Sequence, residues 1–166
     1  MKAPADPFEA VGNLPAAIHA TALVVSEWGI LIRGPSGAGK SQLARALVEK
    51  ALASGKFGRL VGDDRVILEC RSGRIVAHPH QKIAGLIEIR GQGLVDQEYE
   101  SAAIVRLVLD LGRGKPDGDE APRMPEKQHQ IISLAGISVT RLHLPADRSA
   151  ADTAADVMAF LSRGQA

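Results

Sequence analysis

The stretch Gly34-Pro35-Ser36-Gly37-Ala38-Gly39-Lys40-Ser41 decides the fold of this chain. It fits the phosphate-binding loop pattern G-x-x-x-x-G-K-S/T. The apolar run Trp28 to Ile32 precedes it, and the amphipathic stretch Gln42 to Ser54, closed by Gly55, follows. Strand, loop and helix in that order are the context the pattern requires. The glycines let successive backbone N–H groups point into one concavity, which suits anionic oxygens. The helix N-terminus adds partial positive charge at the same place. Lys40 is placed to reach the β- and γ-phosphates of a nucleotide, and the Ser41 hydroxyl to hold Mg²⁺.

A length of 166 residues suits one domain with a sizeable core. Hydrophobic residues make up 45% and aromatic ones only 3%, so Ala, Val, Leu and Ile must fill that core. A net charge of +1 supplies no global drive toward nucleic acid or a membrane. A phosphate ligand must therefore be held by a local site. The single cysteine, Cys70, cannot form an intrachain disulfide, which suits a reducing cytoplasm, and at the end of an apolar run it reads as a small core residue. No stretch reaches the length of a membrane span, and Pro4, Asp6, Pro7 and Glu9 stand where a signal peptide would be basic and then apolar.

Residues 1–13 read as a loosely ordered arm and 14–166 as a single domain. Ala17 to Val25 reads as a strand carrying His19, and Ser26 to Gly29 as a turn into the strand Gly29 to Arg33. In the helix after the loop, Leu43, Ala44, Leu47, Val48, Ala51 and Leu52 form an apolar stripe. Arg65 to Cys70 and Arg74 to His78 read as a hairpin. Ala103 to Leu111 is the most strand-like run of the chain. Gly112 to Pro125 reads as a mobile loop, Ile131 to Leu134 and Ile137 to Leu144 as strands. Ser149 to Leu161 reads as a helix with a Ser149–Asp152 capping box and a stripe of Ala154, Val157, Met158 and Leu161. Many strands and two helices predict an α/β domain with a mixed sheet and flanking helices, without Rossmann-like alternation.

A phosphate-binding loop needs a metal-ordering carboxylate at the end of another strand. Leu60-Val-Gly-Asp-Asp64 offers one, with Asp63 falling 23 residues after Lys40. Two adjacent acids permit two jobs: one orders Mg²⁺ and the other accepts a proton from an incoming hydroxyl. Glu88-Ile-Arg-Gly-Gln-Gly93 runs a charged pair into two glycines, a spacing that permits close backbone approach to a ligand. Glu88 is a candidate Mg²⁺ ligand, and Arg90 a candidate for a phosphate oxygen or a partner of Glu88. His78, His80, His129 and His143 follow no metal-ligand spacing.

Several of these pieces, in this order, resemble one family. Ile18-His-Ala20, Gly34 to Ser41, Leu60 to Val66 and Glu88 to Gly93 are similar to the kinase domain of HPr kinase/phosphorylase. The last piece resembles that family's EIRGLG signature. The resemblance spans roughly residues 17–160 and implies the P-loop fold of the HPr kinase and PEP carboxykinase type. It implies ATP and Mg²⁺ as cofactors, and an HPr-type phosphocarrier protein as partner. It further implies that His19 supports an active-site Asp, that Asp63 or Asp64 is the proton acceptor, with the choice leaning to Asp64, and that Glu88 binds Mg²⁺. Arg123 stands where the family has a catalytic arginine. Members are hexamers, which makes a homo-oligomer an expectation here.

The departures shape what to expect. Full-length members carry an N-terminal domain that the resemblance does not extend to, which makes the truncated alphaproteobacterial type the expectation here. Pro35 and Gln42 stand where Asp and Glu are common. The segment serving dephosphorylation is reduced to Leu144-Pro-Ala-Asp-Arg148, so the kinase direction is favoured over phosphorolysis. Two other readings compete with a protein-serine kinase: an ATP-binding regulatory sensor without transfer, and a small-metabolite kinase or NTPase.

Overall fold

A computed structural model describes residues 17–112, 130–145 and 147–164. The expected arm at 1–13 and most of the expected loop, including Arg123, lie outside the described residues.

Two-residue alternation and short turns build the sheet. Strands β1 (Thr21–Val25) and β2 (Trp28–Arg33) form a hairpin with Val25 opposite Trp28. The turn is therefore Ser26-Glu27 alone, with Ser26 at φ +53°, and not the four residues expected. Gly29 belongs to the strand because β8 (Ala103–Leu111) runs against it. A Cβ there would lie 2.0 Å from the Ile104 carbonyl oxygen. Helix α1 (Lys40–Ala53) follows the loop, and Gly55 leaves it at φ +69°.

Next come β3 (Gly58–Gly62), the hairpin β4 (Val66–Arg71) and β5 (Arg74–Pro79), and a second hairpin, β6 (Leu86–Ile89) with β7 (Gly93–Asp96). After β8, the chain ends in β9 (Ile131–Leu134), β10 (Ile137–Leu144) and α2 (Ala150–Arg163). The main sheet has the order β3-β1-β2-β8-β10-β9, with β5 joining β8. β2 and β10 are parallel to β8, and β1 runs antiparallel to both its neighbours. Hence β2, β3, β8 and β10 all end at the same edge, the edge at which ligands bind in open α/β sheets. This mixed α/β architecture is the one expected.

Alternation along the strands feeds two cores. Ile30, Ile32, Leu107 and Leu109 meet Leu43, Leu47 and Val48 of α1 and Val157 and Leu161 of α2. Leu31 and Val108 face the other way, onto Val66, Leu68 and Ile75 of the β4–β5 hairpin. Two apolar residues depart from expectation. Leu52 is exposed, on the flank of the α1 stripe in its last turn. Cys70 is exposed too, because it sits at the hairpin tip where the inward series Val66, Leu68 runs out.

One buried ion pair crosses the sheet beneath the phosphate loop. Arg33, the last residue of β2, donates from Nε and Nη2 to the two carboxylate oxygens of Asp110, each at 2.7 Å. Both side chains are almost wholly buried. The pair joins β2 to β8 where Arg33 and Asp110 are register partners, one residue before Gly34. A two-pronged bond in a dry interior fixes the height at which the loop leaves the sheet.

Candidate active site

At the carboxyl edge of the sheet, one cleft of about 660 Å³ collects most of the candidate residues. His19, the loop from Ser36 to Ser41, Asp63, Asp64, Glu88 and Arg90 all line it. Gly34 and Pro35 form its root: their carbonyl oxygens each accept a hydrogen bond from Lys40 Nζ at 3.0 Å.

The loop has a geometry that suits an anion. Gly37 and Gly39 have φ of +79° and +94°, a region that L side chains rarely adopt. Gly39 is the N-cap of α1, no side chain caps the helix, and its first turn has no acidic residue. The first amides of a helix have no intrahelical acceptor. Here they open onto the cleft with the helix dipole behind them. Lys40 is buried beside them. Burial holds its ammonium below the usual value of 10.5, against the opposing pull of the Asp63 and Asp64 carboxylates.

Asp63 and Asp64 are adjacent in sequence and separate in space. Arg65 N–H donates to the Asp63 carbonyl at 2.7 Å, closing a tight turn around Asp64 at φ +64°. A left-handed non-glycine residue costs about 1–3 kcal/mol, and Asp tolerates that region better than most. The turn aims the two carboxylates in different directions. Asp63 is buried and accepts from Thr21 Oγ1 at 2.7 Å, from Ser41 Oγ at 2.8 and 2.9 Å, and from the Glu88 backbone N–H at 3.2 Å. It thereby clamps β1, α1 and β6 together. Asp64 is exposed and sits 2.9 Å from His19 Nε2.

His19 is not a strand residue in a core, as its apolar neighbours suggest. It lies just before β1 with half its side chain exposed, held in place where Ile18 bridges Val66. Glu88 is exposed, on the cleft side of β6. The glycines after it have a conformational duty. Gly91 and Gly93, at φ +84° and +81°, turn β6 into β7, and a Cβ on either would meet nothing within 4 Å. His78 lies elsewhere, with Nε2 3.1 Å from Glu69 and Nδ1 3.2 Å from the Ser101 carbonyl oxygen.

Sequence reasoning missed the far wall of the cleft, formed by Leu111, Pro145, Arg148, Ala150 and Thr153. Only the shared edge of β8, β10 and α2 brings them there. The signal lay in the topology: parallel strands beside the loop strand must end beside the loop.

The chain is similar to several known proteins. A family model described as the HPr serine kinase C-terminal domain matches residues 14–158. This chain belongs to that family. Among similar proteins is an HPr kinase/phosphorylase of Mycoplasma mycoides, 31% identical over 136 residues, which cover 76% of this chain and 41% of that protein. Another, of Clostridium beijerinckii, is 30% identical over 135 residues, covering 77% and 42%. The chain thus spans about two fifths of the length of these relatives of the HPr kinase family. The solved structure of the Hpr(Ser) kinase/phosphatase from Coxiella burnetii matches with a TM-score of 0.69 and 24% identity, over 90% of this chain and 99% of that one. That match supports the shared P-loop kinase fold. Among the described residues, no helix is long and apolar enough to cross a membrane.

Proposed function

We propose that this domain transfers the γ-phosphoryl group of ATP to a seryl hydroxyl of an HPr-type phosphocarrier protein. The observation that carries the reading is the division of the Asp pair. Asp63 already accepts bonds from three groups, so its lone pairs are committed to holding the site together. Asp64 is accessible and oriented by His19, as a proton acceptor must be. A pure nucleotide sensor has no need of such a group.

The residues fit Mg²⁺. Ser41 Oγ and the Glu88 carboxylate offer oxygen donors within one cleft, and Mg²⁺ prefers oxygen ligands. Among the described residues no three of His, Cys, Asp or Glu converge as a cage. Mg²⁺ ordinarily takes one or two carboxylates and completes its shell with waters and phosphate oxygens. When bound, the ion neutralises charge on the phosphates. Ser41 and Glu88 would hold it, with Asp63 orienting the Ser41 hydroxyl.

In the transfer, Asp64 takes the seryl proton as the seryl oxygen bonds to the γ-phosphorus. The bond from that phosphorus to the β–γ bridging oxygen breaks, and ADP leaves. Lys40 and the amides of α1 balance the charge on the phosphate oxygens. His19 keeps the Asp64 carboxylate aimed at the acceptor.

The test is transfer of labelled γ-phosphate to an HPr-type protein and to the same protein with its serine changed to alanine. Label on the intact acceptor alone is expected. Asp64→Asn should lower transfer by about 10²–10⁴-fold while leaving ATP binding in place. ATP binding with no label on either acceptor would contradict the proposal.

A further inference from the structure

The cleft is longer than the phosphate loop and chemically lopsided. The loop strand β2 lies in the middle of the sheet, with β3 two places to one side and β10 two places to the other. At about 4.8 Å per strand, each end of the cleft is roughly 10 Å from the loop. On the β3 side stand the carboxylates Asp63, Asp64 and Glu88, with His19 and Arg90 beside them. On the β8 and β10 side stand Leu111, Pro145 and Ala150, with Arg148 as the charged group. A Cβ on Gly34 would lie 2.9 Å from the Leu111 carbonyl oxygen and 3.1 Å from Leu111 Cβ, so this wall is continuous with the loop.

A triphosphate on the loop has two ends, and the acidic side takes the reacting one. The other end must then leave toward Leu111 and Arg148. A flat heteroaromatic base suits that wall: one face against aliphatic side chains, the other open to a guanidinium, which stacks well on aromatic faces. The α2 terminus beside it is not a second phosphate site. Ser149 Oγ accepts from Asp152 N–H at 3.1 Å, and the Asp152 carboxylate offsets the dipole there. Arg148 is itself laid along the first turns of α2 by an ion pair with Asp156. That pairing lowers the cost of ordering its side chain when a ligand binds.

We propose that the arm of the cleft between the phosphate loop and the start of α2 is the nucleoside subsite, with Leu111, Pro145 and Ala150 as its apolar wall and Arg148 stacked on the base. This rests on the reading of the loop as a nucleotide site. Asp156 is a positioning residue for Arg148.

Calorimetric titration of the full chain with Mg²⁺-ATP and with Mg²⁺-tripolyphosphate separates the two parts. The wild type is expected to bind both, ATP more tightly. Arg148→Ala should weaken ATP binding by about 3- to 30-fold, the range of a stacked cation, and change tripolyphosphate binding by less than about twofold. Ala150→Trp, which fills the wall, should weaken ATP binding by at least about tenfold with tripolyphosphate again spared. Asp156→Ala should move ATP alone, by less than Arg148→Ala. Equal loss of both ligands in Arg148→Ala would make Arg148 a phosphate contact and overturn the subsite. No loss in either variant would do the same. Wild type binding tripolyphosphate as tightly as ATP would overturn the subsite and leave the phosphate site standing. Binding of neither ligand would overturn both.

Discussion

Helix α1 begins at Gly39 with no side chain on its first amides and no acid in its first turn. Helix α2 begins at Ser149, which accepts from Asp152 N–H, and carries Asp152 within that turn. Both starts line the same cleft. The first keeps its unsatisfied donors for a ligand and relies on buried Lys40 for charge. The second satisfies its own donors and offers an apolar shoulder with one arginine. An uncapped helix start leaves amide donors open to an anion, and a capped one has already used them. Each end also has its own anchor. The root of α1 rests on the buried Arg33–Asp110 pair, and the start of α2 on an exposed Arg148–Asp156 pair.

The largest expected effect breaks the first anchor. Asp110→Ala leaves Arg33 without its bidentate partner in a dry interior and should cost about 3–5 kcal/mol, read as a fall in the denaturant midpoint. Asp156→Ala, at the solvent-exposed anchor, should leave that midpoint nearly unchanged. Next in size, Lys40→Ala should lower phosphoryl transfer by about 10²–10³-fold with the fold intact by circular dichroism. A variant that still labels its acceptor at the wild-type rate would remove Lys40 from the site. Ser149→Ala sharpens the contrast from the other side. It should lower thermal stability by about 1 kcal/mol through the lost cap while tripolyphosphate binding holds.

The smallest effect concerns pH. Burial depresses the Lys40 pKa below 10.5, so the folded protein binds this proton less tightly than the unfolded chain does. At neutral pH the charged ammonium therefore opposes folding. Between its folded pKa and about 10.5 the unfolded chain binds more protons at this site, and stability rises with pH. Relative to Lys40→Met, the wild type should gain stability as pH climbs through that window. Parallel pH profiles in chemical denaturation would show that Lys40 is not desolvated.

Much of this contrast is legible in the residues, because it rests on local chemistry. The loop pattern, the strands Ala103 to Leu111, Ile131 to Leu134 and Ile137 to Leu144, and the Ser149–Asp152 cap stand where the sequence pattern puts them. What local chemistry cannot carry is partnership across the sheet. Arg33 and Asp110 are 77 positions apart, and each alone reads as a charge ending an apolar strand. The two acids of the Asp63-Asp64 pair are identical as letters and differ only through the left-handed turn at Asp64. Two glycines near Glu88 suggest contact with a ligand, but a hairpin turn needs the same residues, and β7, at 4 residues, is too short to announce itself. Leu52 and Cys70 show the limit of periodicity. A residue with the right phase stays exposed where the opposing layer ends.

The most direct test of the contrast between the two helix starts is an amide nitrogen–proton spectrum recorded while Mg²⁺-tripolyphosphate is added. The expected result is saturable movement of the Gly37, Gly39, Lys40 and Ser41 amides, with those of Ala150 and Asp152 unmoved. Movement centred on Ala150 and Asp152, or none at the Gly39–Ser41 amides, would contradict the assignment of the phosphate site to the start of α1.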